Sequence, residues 1–300
     1  MTLEQCLSSI VDGEQPLRNA DLMNLSGMTT EELEAIRSAW EDVDSERRQQ
    51  VLQRLIEMAE DNLDADFNSL FRLCLKDADA EVKAKAIEGL WECDDRSLVK
   101  PLSSLLSNDP SDKVRVSAAM ALSKFATLAQ SGKILSKDGD RIKESLTAAI
   151  RNPGEKQEVR RRAVEAVAAF NTPEVHQIIR EAYSSDQFEM RCSAVYAMGK
   201  SCNLQWLSTI LQELRNPHPA MRYEASNACG EMGEEDAVPH LLQLFKDEDQ
   251  QAQTSAIAAV GAIGGSLARK ALLKCLKSSD DVVVEAAEEA LEVLGETSDL

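Results

Sequence analysis

The side chains that could do chemistry are few and poorly spaced for it. Three histidines, His176, His218 and His240, lie 42 and 22 residues apart. None opens an HExxH motif and none completes a CxxC…H spacing, the arrangements that put metal ligands on one face. The sequence therefore predicts surface or capping histidines, with no metal and no other cofactor. The seven cysteines (6, 74, 93, 192, 202, 229 and 275) contain no CxxC pair. Cys74, Cys229 and Cys275 fall within apolar helical patterns and read as small core residues. Cys192 reads as an exposed thiol, and Cys202 lies ten residues on. No histidine is expected near Cys192 to lower its pKa for redox chemistry or chromophore attachment. Reduced thiols in a cytoplasmic protein account for the whole set. No GxSxG supports a serine nucleophile, so no catalytic residue is assigned.

Charge narrows the partners. The chain has 300 residues, 33 Lys and Arg against 52 Asp and Glu, and a formal net charge of −19. Such a chain repels nucleic acid and anionic lipid at long range. One basic island interrupts it: residues 141–162 hold seven cations against three acids, including Arg160, Arg161 and Arg162. A DNA-gripping repeat protein would carry a continuous basic groove, which this is not. No window approaches 18 consecutive apolar residues, so no membrane span is expected. The first seven residues have no basic region and no long apolar core, so no secretion signal is expected.

The elements that must carry these residues are visible in an internal repeat. Seven segments begin at Val82, Val114, Val159, Met190, Met221, Ala252 and Val283, with steps of 32, 45, 31, 31, 31 and 31 residues. Position 5 is alanine in all seven, and position 8 is Gly89 followed by six alanines. On a helix, positions 1, 5, 8, 9 and 12 form one stripe about 80° wide. Small residues at 5 and 8 let a neighbouring helix come close. A second amphipathic segment precedes each of these helices, across turns such as Asn108-Asp109-Pro110 and Arg215-Asn216-Pro217. A single pair of about 31 residues cannot bury its stripe, so the pairs must stack. The expected fold is an all-α, right-handed solenoid of about seven to eight helix pairs.

The pattern Val-Arg-x-x-Ala-x-x-Ala-Leu/Met-Gly after an Asp/Asn turn resembles the short HEAT repeats of the phycobilisome-lyase type. Residues 190–199, Met-Arg-Cys-Ser-Ala-Val-Tyr-Ala-Met-Gly, carry it most clearly. The resemblance covers residues 67–295 and implies little about function, because the same repeat serves lyase subunits, an iron hydroxylase and scaffolds. The hydroxylase branch holds iron with His-Glu dipeptides, and this chain has none. The family also implies a ladder in which the position-2 cation meets the turn acid of the next repeat. That cation is Lys83, Arg115, Arg160, Arg191 and Arg222, then becomes Gln253 and Val284.

The expected organisation is an N-terminal segment, 1–66, with a divergent capping pair, followed by a repeat array over 67–300. The capping pair would pack through Trp40, Val51, Leu52, Leu55 and Met58. Residues 276–300, with one Lys against eight acids, form the other cap. The long step places a loop-like insertion near 125–140. Residues 1–27 lack periodicity.

Positions 3 and 7 point away from the packed stripe and vary widely. They carry Glu88, Met120, Arg161, Glu165, Tyr196, Tyr223 and Asn227, beside Arg162 and Glu224. Tyr, Met and Arg together are enriched in protein-binding patches. The expected function is a non-enzymatic scaffold that binds a protein or peptide along its concave face, and the chain itself is expected to be a monomer. A phycobilin-lyase-like subunit acting on a tetrapyrrole or its carrier is the alternative.

Overall fold

The computed structural model describes residues 10–11, 16–62 and 64–298, and every regular element among them is a helix. The chain divides into two compact units, residues 1–159 and 160–300.

The first unit contains α1 (Asn19–Leu22), α2 (Thr30–Trp40), α3 (Ser45–Asp61), α4 (Asn68–Cys74), α5 (Ala80–Gly89), α6 (Val99–Asn108), α7 (Asp112–Gln130) and α8 (Ser136–Arg151). Short polar residues start several of these helices. Thr29 and Glu32 form a reciprocal capping box on α2, and Asp79 accepts from the Val82 amide at 2.9 Å to start α5. Helices α3, α5 and α7 pack in succession. Their stripes are dry: Val51, Leu52, Leu55, Val82, Ala86, Val114, Ala118 and Leu122 are fully buried. Trp40 and Met58 are buried in the N-terminal pair, where the Trp40 indole donates to Asp77 at 3.0 Å.

The region expected as a loop near 125–140 is mostly helix. Phe125 and Ala126 are buried and carry the stripe of α7 onward, so that helix runs to Gln130. Residues 131–135 make the turn, with Gly132 at φ +71°, a backbone conformation that glycine adopts without strain. Ile142 and Leu146 then anchor α8. The inserted residues lengthen two helices because their apolar spacing stays helical.

The second helix series begins with α9 (Gln157–Val167), whose residues from 160 onward belong to the second unit. It continues with α10 (Pro173–Tyr183), α11 (Phe188–Lys200), α12 (Leu207–Glu213), α13 (Pro219–Met232), α14 (Val238–Leu241), α15 (Gln250–Ile263), α16 (Gly265–Cys275) and α17 (Asp281–Ser298). Helices α11, α13, α15 and α17 stack in order. The contact is set by the small residues. A Cβ placed on Gly199 would lie 2.5 Å from the Ala228 Cα, and one on Gly261 2.7 Å from the Ala290 Cβ. Position 10 of one repeat thus sits on position 8 of the next. Gly89, the exception at position 8, lies against the Phe71 ring, which leaves no room for a methyl group.

Polar rungs fix the register at the turns. Lys83 pairs with Asp109, and Arg115 reaches Glu155 at 2.7 Å. In the second unit Arg222 grips Asp247 with two bonds of 2.6 and 2.7 Å. The N-terminal pair has its own version, Arg48 to Asp77 at 3.3 Å. Several of these cations also donate to a carbonyl of the preceding turn, as Arg222 does to Asn216 O at 2.9 Å. Arg191 departs from the pattern because Asn216 stands where the next acid would be. It donates to Ser185 O and lies 5.6 Å from the Phe188 ring instead.

Candidate binding faces

Helices α9, α11 and α13 bring seven of the nine expected site residues into the second unit. Arg161 Nε donates to Ser193 Oγ at 3.1 Å, and that hydroxyl donates to Glu165 at 2.6 Å. Arg162 pairs with the other Glu165 oxygen at 3.0 Å. Asn227 accepts from Ser255 Oγ at 2.8 Å. Tyr196 and Tyr223 stand beside this network with 37% and 38% of their surface exposed, while Ala194, Ala197, Ala225 and Ala228 on the same helices are buried. The polar groups are thus held in place before any partner arrives, and two aromatic rings are left to offer. Burial pushes the Tyr196 phenol pKa up.

Glu224 is the charged group under most stress. Burial raises its carboxyl to about 7, with Glu165 adding to the rise and Arg161 and Arg162 opposing it. A raised carboxylate pKa means that ionisation costs the folded state. That cost is absent below pH 4.5, grows through the interval to 7 and is complete above it. Glu224→Gln is therefore expected to stabilise the protein at pH 8 by about 1–2 kcal/mol and to leave it unchanged at pH 4.5. Urea unfolding at both pH values checks this, and a difference independent of pH would contradict it.

Position 3 does not always reach the surface. Cys192, expected to be exposed, is buried, and its thiol is raised to about 11 by that burial and by Glu224. Ala84, also at position 3, is buried too. Short side chains there sit below their longer neighbours, whereas Tyr223 extends past them. Cys74 and Cys229 lie in the core as expected, but Cys275 is only half-buried. Alkylation is expected to reach the exposed Cys202 well before Cys192, as peptide mapping after brief iodoacetamide treatment would show.

Two of the three histidines have structural partners. His176 lies 2.6 Å from Asn171 and 3.1 Å from Gln205, and burial followed by Arg180 lowers its pKa. The His218 ring lies tilted against Phe188 with centroids 4.7 Å apart. His240 packs with Nδ1 buried and unbonded. Among the described residues no three of His, Cys, Asp or Glu are grouped to hold a metal.

Glu88 and Met120 lie in the first unit and form a separate feature. Helices α5 and α7 enclose a cleft of about 550 Å³, with Met120 52% exposed on one lip. Trp91, 60% exposed, forms the other. Sequence reasoning passed over Trp91. The signal was present: it occupies position 10, where three later repeats carry Gly199, Gly230 and Gly261.

Comparison with known proteins gives the family and a fold. Deoxyhypusine hydroxylase from Neurospora crassa is 29% identical over 101 residues, which are 33% of this chain and 31% of that protein. The chain thus matches about a third of that relative's length. The human deoxyhypusine hydroxylase structure in complex with glycerol is 17% identical, covering 98% of this chain and 96% of that one, with a TM-score of 0.38. A chain from the structure describing Kap95p binding to RanGDP is 15% identical, covering 98% of this chain and 45% of that one, with a TM-score of 0.52. That likeness shows a shared helical-solenoid fold. The HEAT-repeat family model matches residues 67–140 and 207–292, more than half of the sequence, and the chain belongs to that family.

Proposed function

We propose that the protein is a scaffold that holds a segment of a partner protein against the face built by α9, α11 and α13. The observation that carries this reading is the exposure of Tyr196 and Tyr223 on helices whose small residues are fully buried. Tyrosines held by their helices lose little side-chain freedom on binding, and they supply apolar area with a polar tip. Arg161, Arg162, Glu165, Glu224 and Asn227 surround them and would set the polarity and direction of the bound segment. The charge of −19 favours protein over nucleic acid as the partner. No helix among the described residues is long and apolar enough to cross a membrane.

The similarity to deoxyhypusine hydroxylase covers about a third of that protein and does not carry this reading. The residues following His176, His218 and His240 are Gln, Pro and Leu, so the iron-holding His-Glu dipeptides of that branch are missing from the chain. For the lyase-like alternative, Cys192 is buried and Cys202 is the exposed thiol.

The test is affinity purification of the intact chain beside a Tyr196→Ala, Tyr223→Ala double variant, with helicity checked by circular dichroism. Losing two aromatic anchors is expected to weaken a partner at least tenfold. A partner held equally well by a folded double variant would remove this face from consideration.

A further inference from the structure

We infer that the cleft between α5 and α7 is a second binding site. Its occupant is a protein segment that sets an apolar side chain between Trp91 and Met120 and a cationic side chain beside Glu88. The inference rests on the scaffold reading only in taking the partner to be a protein.

The cleft is built for an apolar group. Leu90, Leu98, Leu102 and Phe125 form its floor and are all buried. Its volume lies within the range of ordinary ligand sites. Trp91 is presented rather than left loose. Lys124 Nζ donates to the carbonyls of Trp91 and Cys93 and pairs with Asp94 at 3.1 Å, tying down the chain that follows α5. An exposed indole on a backbone held in this way is an anchor for recognition, and tryptophan is among the residues most enriched in binding hot spots.

The charges around the cleft choose the flanking residue. Three lysines line it, and each is engaged: Lys113 with Glu81, Lys124 with Asp94, and Lys85 with Gln53 at 2.6 Å. Of the two carboxylates on the lining, Glu81 pairs with Lys113, while Glu88 has no ion-pair partner among the described residues and is exposed. An arginine or lysine of the incoming segment completes it. The same argument rejects a second copy of the chain, because two molecules at −19 repel.

Tryptophan fluorescence can read this site directly. Trp40 and Trp206 are each 6% exposed, so acrylamide quenching reports mainly on Trp91. The probes are the synthetic peptide GRKLFRKG, its acidic counterpart GEELFEEG and its apolar-free counterpart GRKGGRKG. GRKLFRKG is expected to shield Trp91 from quenching and to bind at least tenfold more tightly than either counterpart. Anisotropy of the fluorescein-labelled peptide is expected to show at least tenfold weaker binding to Trp91→Ala and to Met120→Gln, and about threefold weaker binding to Glu88→Gln. The Tyr196→Ala, Tyr223→Ala variant is expected to bind it normally, which separates this site from the face on α9, α11 and α13. Equal binding of GRKGGRKG, unchanged binding to Trp91→Ala, or no binding by the unaltered protein would overturn the proposal. Loss of peptide in the tyrosine variant would overturn it as well, while loss of a captured partner there bears only on the scaffold reading.

Discussion

Replacing Gly199 with alanine is expected to lower the unfolding free energy by about 1–3 kcal/mol, although the same change in an open helix would stabilise by about 0.5–1 kcal/mol. The added Cβ would stand 2.5 Å from the Ala228 Cα and 2.7 Å from its Cβ. The obstacle is backbone, so no side chain can rotate away, and α11 and α13 must separate. Neighbouring glycines provide the scale. Gly261→Ala meets Ala290 at 2.7 Å and is expected to behave alike, whereas Gly230→Ala meets Ala259 at 3.2 Å and is expected to fall within about 1 kcal/mol of the unaltered protein. Urea midpoints for the three variants, taken with tyrosine and tryptophan fluorescence, give the order. If Gly199→Ala were as stable as Gly230→Ala, the stacking of position 10 on position 8 would not be what sets the spacing between repeats.

Arg222→Met is expected to cost about 2–3 kcal/mol at pH 7. Arg222 satisfies Asp247 with two bonds and also donates to Asn216 O, and both ionic side chains are mostly buried. Removing the guanidinium leaves a carboxylate and a turn carbonyl short of donors, which costs more than the pair contributes. The sign with pH follows from Asp247, whose pKa is lowered first by the Arg222 hydrogen bond. Stability from that shift is present above pH 3.8 and is lost as pH falls through the lower folded value. The gap between variant and unaltered protein is therefore expected to narrow below pH 3.8. Arg37, in an exposed pair with Glu34, is the comparison, and Arg37→Met is expected to cost well under 1 kcal/mol. A cost at Arg222 no larger than at Arg37 would mean that the rungs are decoration on a solenoid held by packing alone.

The repeat was legible because its geometry is local. Alanine at position 5 and small residues at position 8 mark a stripe that any helix of that sequence must bury, and Ala86, Ala118, Ala163, Ala194, Ala225, Ala256 and Ala287 are all buried. The turn acids and position-2 cations were legible in the same way, as residue types recurring at fixed offsets. Depth across the stack was not. Whether position 3 is exposed depends on how far the side chains of the helices on either side extend, which is why Cys192 lies buried and Tyr223 does not. The long step between Val114 and Val159 was legible as an insertion but not as helix, because Gly132 and Gly139 suggested a loop while Phe125, Ile142 and Leu146 kept helical spacing. Trp91 was not legible as a site residue because the cleft beside it needs two helices to exist.

The most direct test of the scaffold reading places a photo-cross-linker on the proposed face of the otherwise intact chain. Benzoylphenylalanine in place of Tyr196 on α11 is compared with the same group in place of Leu273 on α16, a site 47% exposed on a helix outside that face. Irradiation in native lysate is expected to give a discrete protein adduct from position 196 and none from position 273. Adducts of equal yield from both positions, or from position 273 alone, would contradict recognition by the face on α9, α11 and α13.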